Sequence, residues 1–84
     1  MIPLVLNLSS KALRYLDSLN EIQKKQILMK IEKLREDPKP QNSGYLKMQP
    51  GYRKLRIGDY RAIYKVTTFE INIAAIGQRG WIYE

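Results

Sequence analysis

Two runs of alternating apolar and polar residues, joined by Gly58-Asp59, mark the second half of the chain. The runs are Tyr52–Ile57 and Tyr60–Val66, and both are rich in aromatic and β-branched residues, which favour strands. A two-residue connection containing glycine is typical of a tight β-hairpin. The pattern therefore predicts an antiparallel pair in which Arg56 lies directly opposite Arg61.

Alternation gives this hairpin two unlike faces, because successive side chains of a strand point to opposite sides of a sheet. One face is apolar or aromatic and should cover a core; it carries Leu55, Ile57, Tyr60, Ala62, Tyr64 and Val66. The other face carries Tyr52, Lys54, Arg56, Arg61, Ile63 and Lys65. Like charges that face each other across strands repel, so an anionic partner would relieve the second face. The alternative is a solvated basic surface that deters pairing between sheet edges.

The first part of the chain predicts a strand followed by a helix. Residues 2–8 place Leu4, Leu6 and Leu8 on one face of a strand. The two serines that follow, Ser9 and Ser10, offer an N-cap. A 3.6-residue apolar periodicity then predicts an amphipathic helix through about Ser18.

A second helix is predicted to start after Asn20. Asn20 and Gln23 have the spacing of a capping box, and an apolar stripe runs along this helix to about Glu36. Pro38 and Pro40 stop it, since proline cannot continue a helix. A short strand is expected over residues 45–48, before the hairpin.

The residues after the hairpin predict a further strand, residues 71–76, with Ile71 paired to Val66 and with Ile71, Ile73 and Ala75 on the apolar face. Strict alternation would then place Gln78, and not Arg79, on the same side of the sheet as Lys54, Arg56 and Arg61. An isolated glycine in a strand often marks a β-bulge. We therefore predict a bulge at Gly77 that turns Arg79 toward the cations.

Together these elements predict one small α+β domain covering residues 1–84. Its sheet would be mostly antiparallel, with a pair of N-terminal helices packed on one face in the order β-α-α-β-β-β. The early apolar stretch is too short for a membrane span or the core of a signal peptide. A cytoplasmic protein with no membrane association is expected.

The amino-acid composition limits the partners, catalytic groups and metal sites that the chain can have. Fifteen Lys and Arg against eight acidic residues give a net charge of +7 and a pI near 9.8, which favours polyanionic partners. The chain has no Cys and no His, which excludes disulfides, thiol nucleophiles, Cys/His zinc sites and an imidazole base. Any catalysis would use Lys, Arg, Tyr or carboxylates, and we expect no cofactor and no metal.

The last residues combine Arg79 with Trp81 and Tyr83. Aromatic rings beside cations suit RNA binding, because bases stack on rings while cations hold phosphates. Alternatively, Trp81 or Ile82 packs onto the core.

With YRKLRIGDYRAIYKV followed by a strand and IGQRGWIY, the chain resembles the RelE/ParE superfamily of bacterial and archaeal toxins. Resemblance to the RelE branch implies a ribosome-dependent endoribonuclease that cuts mRNA in the ribosomal A site and stops translation. The 2′-hydroxyl would attack the adjacent phosphate without a metal, giving a 2′,3′-cyclic phosphate. By position the resemblance implies a catalytic set and three RNA or phosphate contacts. The catalytic set is Lys54, Arg61, Arg79 and Tyr83, and the contacts are Arg56, Lys47 and Tyr52.

Each member of that catalytic set is implied to have one role. Lys54 is the candidate base, since crowding by Arg56 and Arg61 favours its neutral amine. Arg61 and Arg79 would stabilise the phosphorane, and Tyr83 would stack on or orient a base. The sequence departs from many relatives at Gln78, where they have His, and from some at Tyr52, where they have a second Lys.

The resemblance also implies partners: a cognate antitoxin, the ribosome with its mRNA, and operator DNA reached only through the antitoxin complex. Two other functions stay open at this point. One is a ParE-like gyrase poison without nuclease activity, and the other is a non-catalytic nucleic-acid-binding module.

Overall fold

Two helices cover one side of a five-stranded sheet in the computed structural model, which describes residues 3–80. The strand order is β1-β5-β4-β3-β2, with β1 parallel to β5 and the other pairs antiparallel. The predicted α+β class is confirmed. The elements are β1 (Val5–Leu8), α1 (Ser10–Asp17), α2 (Glu21–Glu32), a 3-10 turn (Lys33–Arg35), β2 (Ser43–Tyr45), β3 (Tyr52–Ile57), β4 (Tyr60–Val66) and β5 (Glu70–Gln78).

Both predicted helix caps form. The Ser9 hydroxyl accepts a hydrogen bond from the Ala12 amide at 3.0 Å, and Asn20 and Gln23 make a complete capping box. The second helix is shorter than expected, because its last turn tightens into the 3-10 turn. No helix within residues 3–80 has both the length and the apolar character needed to cross a membrane.

The main core lies between the helices and the apolar face of the hairpin, as alternation predicts. Apolar side chains from both helices meet those of β3, β4 and β5 there. Tyr64 is fully buried at the centre of β4, and its hydroxyl donates to the Pro38 carbonyl at 2.7 Å. The helices therefore occupy one side of the sheet and leave the other side to the cations.

A buried arginine, Arg53, also lies on the helix side, at the β2 edge. Its Nε donates to the Tyr64 hydroxyl at 3.3 Å and its Nη2 to Ser43 Oγ at 2.8 Å. Its guanidinium carbon lies 4.9 Å from the centroid of the exposed Tyr45 ring. Because these contacts reach β2 and β4, Arg53 ties the edge strand to the core. Alternation puts Arg53 on the same face as Leu55 and Ile57, but the apolar set predicted for that face did not include it.

The strand expected over residues 45–48 lies earlier in the chain, over Ser43–Tyr45. The Leu46 amide donates to the Tyr52 carbonyl at 3.0 Å, so the chain turns back immediately after Leu46. Asn42 extends the pairing on the other side, through bonds between its backbone carbonyl and side chain and the Arg56 backbone. The pairing with β3 sets this strand, and Gly44 gives it no apolar signature that could reveal it in the sequence.

Candidate functional site

On the side of the sheet away from the helices, four cations are grouped toward the hairpin turn. The predicted register is confirmed: Arg56 faces Arg61, which faces Gly77 on its other side, and Lys54 occupies the neighbouring row. Arg56 and Arg79 are exposed, Lys54 is half-buried and Arg61 is only 7% exposed. We call this set, Lys54, Arg56, Arg61 and Arg79, the cationic face.

Arg61 is held by the hairpin turn. Its Nη1 donates to the carbonyls of Gly58 and Tyr60, each at 2.8 Å. Gly77 gives Arg61 a neighbour without a side chain on β5. The guanidinium is therefore anchored by backbone at the turn end of the sheet. Nothing in the sequence pattern signals this anchoring.

Arg79 reaches the cationic face through a β-bulge, but the bulge lies at Ala74 and not at Gly77. Ile63 pairs with Ala75 and Tyr64 with Ile73, which leaves Ala74 as the extra residue. The side-chain alternation of β5 therefore reverses at that point. Gly77 is paired regularly opposite Arg61.

The bulge decides which side chain faces the cations. Gln78 pairs with Tyr60 and shares the helix side with it, so the placement expected from strict alternation is wrong. Ala75 likewise moves to the cationic side, and by the same parity Arg79 follows it. A sequence signal for the bulge exists, because the step from Ile73 to Ile76 is three residues where a regular strand face would have two.

The same bulge is tied to the start of the first helix. Ser9 Oγ donates to the Ala74 carbonyl at 2.7 Å while it accepts the Ala12 amide. One hydroxyl thus caps α1 and satisfies a carbonyl of the irregular strand. This bond couples the helix layer to the segment that carries Arg79.

We expect Ser9→Ala to destabilise the protein more than Asn20→Ala, which is its matched control. Both substitutions remove an N-cap, at a cost of about 1 kcal/mol. Only Ser9→Ala also deprives the Ala74 carbonyl of its donor, for roughly another 1 kcal/mol. Urea unfolding of the two variants measures the difference. Equal losses would contradict the role of Ser9 at the bulge.

A small apolar cluster lies beside the cations on the same side of the sheet. Leu46, Ile63 and Ala75 are buried there, with Tyr52 packed against them. The Lys65 Nζ lies 5.6 Å from the centroid of the Tyr52 ring. This second cluster was not predicted, although alternation had placed Tyr52 and Ile63 on that side.

The other predicted site residues divide into three cases. Tyr52 lies on the predicted side of the sheet, two residues before Lys54. Lys47 is exposed in the turn between β2 and β3, at the end of β3 away from the hairpin turn, and is not brought into the cationic face. Tyr83 lies outside the described residues, as do Trp81 and Ile82.

Two titratable groups on the helix side have shifted pKa values. Burial, with a smaller contribution from Tyr60, raises the pKa of Tyr15, whose ring meets that of Tyr60 edge-on at 6.4 Å between centroids. The hydrogen bond from Lys24 to Asp17 raises the pKa of Lys24. Both groups belong to the helix layer and not to the cationic face.

The cationic face provides chemistry suited to a phosphodiester. Guanidinium groups stay charged and present planar forks that match phosphate oxygens. Lys54 is the one member of this set whose side chain is an amine, the kind of group that can accept a proton, since arginine stays protonated. The arrangement can therefore bind phosphate, stabilise added negative charge and offer a single proton acceptor.

Solved structures of similar fold include RelE-type and ParE-type toxins. A RelE–RelB complex from the archaeon Pyrococcus horikoshii matches with a TM-score of 0.81 and 23% identity, over 95% of this chain and 99% of that chain. The intact E. coli RelBE complex matches with a TM-score of 0.74 and 23% identity, over 90% and 96%. A chromosomal ParDE system from P. aeruginosa gives 0.74 and 21%, over 89% and 95%. At these identities the likeness is one of fold.

Sequence comparison identifies the family directly. The model of the ParE toxin of type II toxin–antitoxin systems matches residues 6–83, which include every strand and helix described above except the first residue of β1. No curated protein sequence matches the chain. The chain therefore belongs to the ParE toxin family of type II toxin–antitoxin systems, within the RelE/ParE superfamily.

Proposed function

We propose that this toxin is a ribosome-dependent endoribonuclease that cleaves mRNA in the ribosomal A site without a metal. The observation that supports this proposal is the grouping of Lys54 with Arg61 on the cationic face, with the Arg61 guanidinium fixed by the hairpin turn. A site for phosphodiester cleavage needs a proton acceptor close to a fixed positive charge. A general RNA-binding surface needs only the charge.

In the proposed reaction, the neutral amine of Lys54 takes the proton of a ribose 2′-hydroxyl. The 2′-oxygen attacks the adjacent phosphorus and the bond from phosphorus to the 5′-oxygen breaks. Arg61 and Arg79 stabilise the charge that develops on the non-bridging oxygens. The leaving oxygen takes up a proton, so the products are a 2′,3′-cyclic phosphate and a 5′-hydroxyl. Tyr83 is proposed to orient a base.

Arg56, Tyr52 and Lys47 are proposed as RNA or phosphate contacts of unequal standing. Arg56 lies directly across from Arg61 and is exposed, so it can meet a phosphate beside the scissile one. Tyr52 offers a ring next to Lys65. Lys47 lies in the turn between β2 and β3, so it would contact RNA only beyond the end of the sheet.

A cognate antitoxin is the proposed protein partner. The structural relatives include RelE–RelB complexes, and the net charge of +7 favours an acidic partner. We propose that operator DNA is bound only through the antitoxin complex, and that the toxin acts in the cytoplasm.

Inhibition of gyrase is the second candidate function, because the matching family model is that of ParE. The two functions are separated by incubating the toxin with ribosomes that hold a defined mRNA codon in the A site. We expect a cut within that codon ending in a 2′,3′-cyclic phosphate, and no cut in the same mRNA without ribosomes. Intact mRNA together with trapped gyrase–DNA cleavage complexes would support the gyrase function and overturn the nuclease proposal.

A further inference from the structure

The three successive carbonyls of the hairpin turn each accept a hydrogen bond from an arginine of the cationic face. Those of Gly58 and Tyr60 accept from Arg61 Nη1, and that of Asp59 accepts from the Arg79 backbone amide at 2.8 Å. The bond from the Arg79 amide continues the pairing of β4 with β5, whereas the two bonds from Arg61 are made by its side chain. These bonds place the two arginines with respect to one short stretch of backbone.

The conformation of the turn is specific. Gly58 has a φ of 58°, whereas no residue other than glycine within residues 3–80 has a positive φ, so the φ of Asp59 is negative. Positive φ at the first central position alone defines a type II′ turn. A Cβ added to Gly58 would meet no atom within 4 Å. Backbone conformation, and not space, is therefore what requires glycine here.

Carbonyl oxygens suit the task of orienting a catalytic cation. A carbonyl is uncharged, so a hydrogen bond to it orients the guanidinium without placing a negative charge beside it. Because Arg61 is nearly buried, an orientation set by the turn is retained before RNA arrives.

We propose that the Gly58-Asp59 turn is a positioning element for the cationic face: the type II′ orientation of its central peptide aims the Arg61 guanidinium at the scissile phosphate. This inference rests on the proposed mRNA cleavage. Gly58 and Asp59 act through Arg61 and are not themselves catalytic residues.

The double variant Gly58→Asn/Asp59→Gly tests the proposal. Asn-Gly is the preferred sequence of a type I′ turn, so the two-residue hairpin and its register are kept. The two turn types differ by about 150° in ψ at the first central residue. The carbonyl at position 58 then points away from Arg61, while hairpin stability is preserved.

We expect the double variant to unfold at the same urea midpoint as the wild type but to cleave ribosome-bound mRNA about 10- to 100-fold more slowly, as misplaced catalytic groups do. The loss should appear in kcat, with little change in KM. The control places the same dipeptide in the turn between β4 and β5, as Thr68→Asn/Phe69→Gly. It should cleave at the wild-type rate. Wild-type cleavage by the double variant would overturn the inference.

Two further measurements keep the test decisive. Hydrogen exchange at the Arg61 guanidinium, followed by NMR, should accelerate in the double variant whether or not the protein is a nuclease, and unchanged exchange would overturn the inference. A wild-type toxin that leaves ribosome-bound mRNA intact would instead overturn the proposed function.

Asp59→Gly alone keeps Gly58 and permits both turn types. We expect it to lose part of the activity, and a full wild-type rate in it would count against the proposal.

Discussion

Replacing Arg61 with alanine is expected to slow mRNA cleavage by about 10²- to 10³-fold, the usual loss when a donor that stabilises transition-state charge is removed. Arg61→Lys should recover only a small part of the lost cleavage rate. An ammonium group lacks the planar fork, and its single nitrogen would have to serve both the turn carbonyls and the phosphate. Single-turnover cleavage on ribosomes programmed with one codon measures both effects. Urea unfolding of each variant verifies that the fold is kept.

Lys65→Ala is the matched control for Arg61→Ala. Lys65 is an exposed cation of the same strand and the same side of the sheet, but it lies against Tyr52 and outside the cationic face. We expect cleavage by this variant within about threefold of the wild type, with a weaker salt dependence of binding. Equal losses in both variants, confined to binding, would support the non-catalytic nucleic-acid-binding module instead.

Lys54→Arg is expected to be the most informative substitution at the proposed base. It keeps the positive charge on the cationic face but removes the only group there that can become a neutral amine, since arginine stays protonated. Loss of a general base typically costs about 10²- to 10⁴-fold. Ribosome binding should be retained, and the single-turnover cleavage rate of the variant should fall within that range.

The dependence of rate on pH distinguishes the loss of a base from a distorted site. If the amine of Lys54 is the base, as proposed, wild-type cleavage should accelerate as pH rises, while residual cleavage by Lys54→Arg should not follow that rise. Lys54→Arg with undiminished cleavage would exclude Lys54 as the base and leave phosphate binding as its role.

Local rules were sufficient for much of this fold. The hairpin register follows from a two-residue turn, and the helix starts follow from Ser9, Asn20 and Gln23, because each of these signals is complete within a few residues. The grouping of Lys54, Arg56 and Arg61 is a consequence of that register. It could therefore be predicted without any knowledge of the rest of the chain.

The parts that could not be predicted depend on contacts between distant residues. The bulge at Ala74 is stabilised by the Ser9 hydroxyl, 65 residues away in sequence. The strand β2 is held by its backbone hydrogen bonds to β3. The anchoring of Arg61 depends on carbonyl directions, which carry no side-chain signature. The spacing of Ile73 and Ile76 was the one local indication of the bulge. The prediction placed the bulge at Gly77 instead, because an isolated glycine is a common bulge residue.

The parallel pairing of β1 with β5 has a consequence for how the toxin is made. The first strand finds its partner only when the last strand has been synthesised, since Val5 pairs with Glu70. Pairings of such long sequence separation close late and slow the folding of small domains. During translation, Arg79 cannot join Arg61 until β5 has left the exit tunnel. If these arginines act together as proposed, the nascent chain is inactive until its last strand is in place.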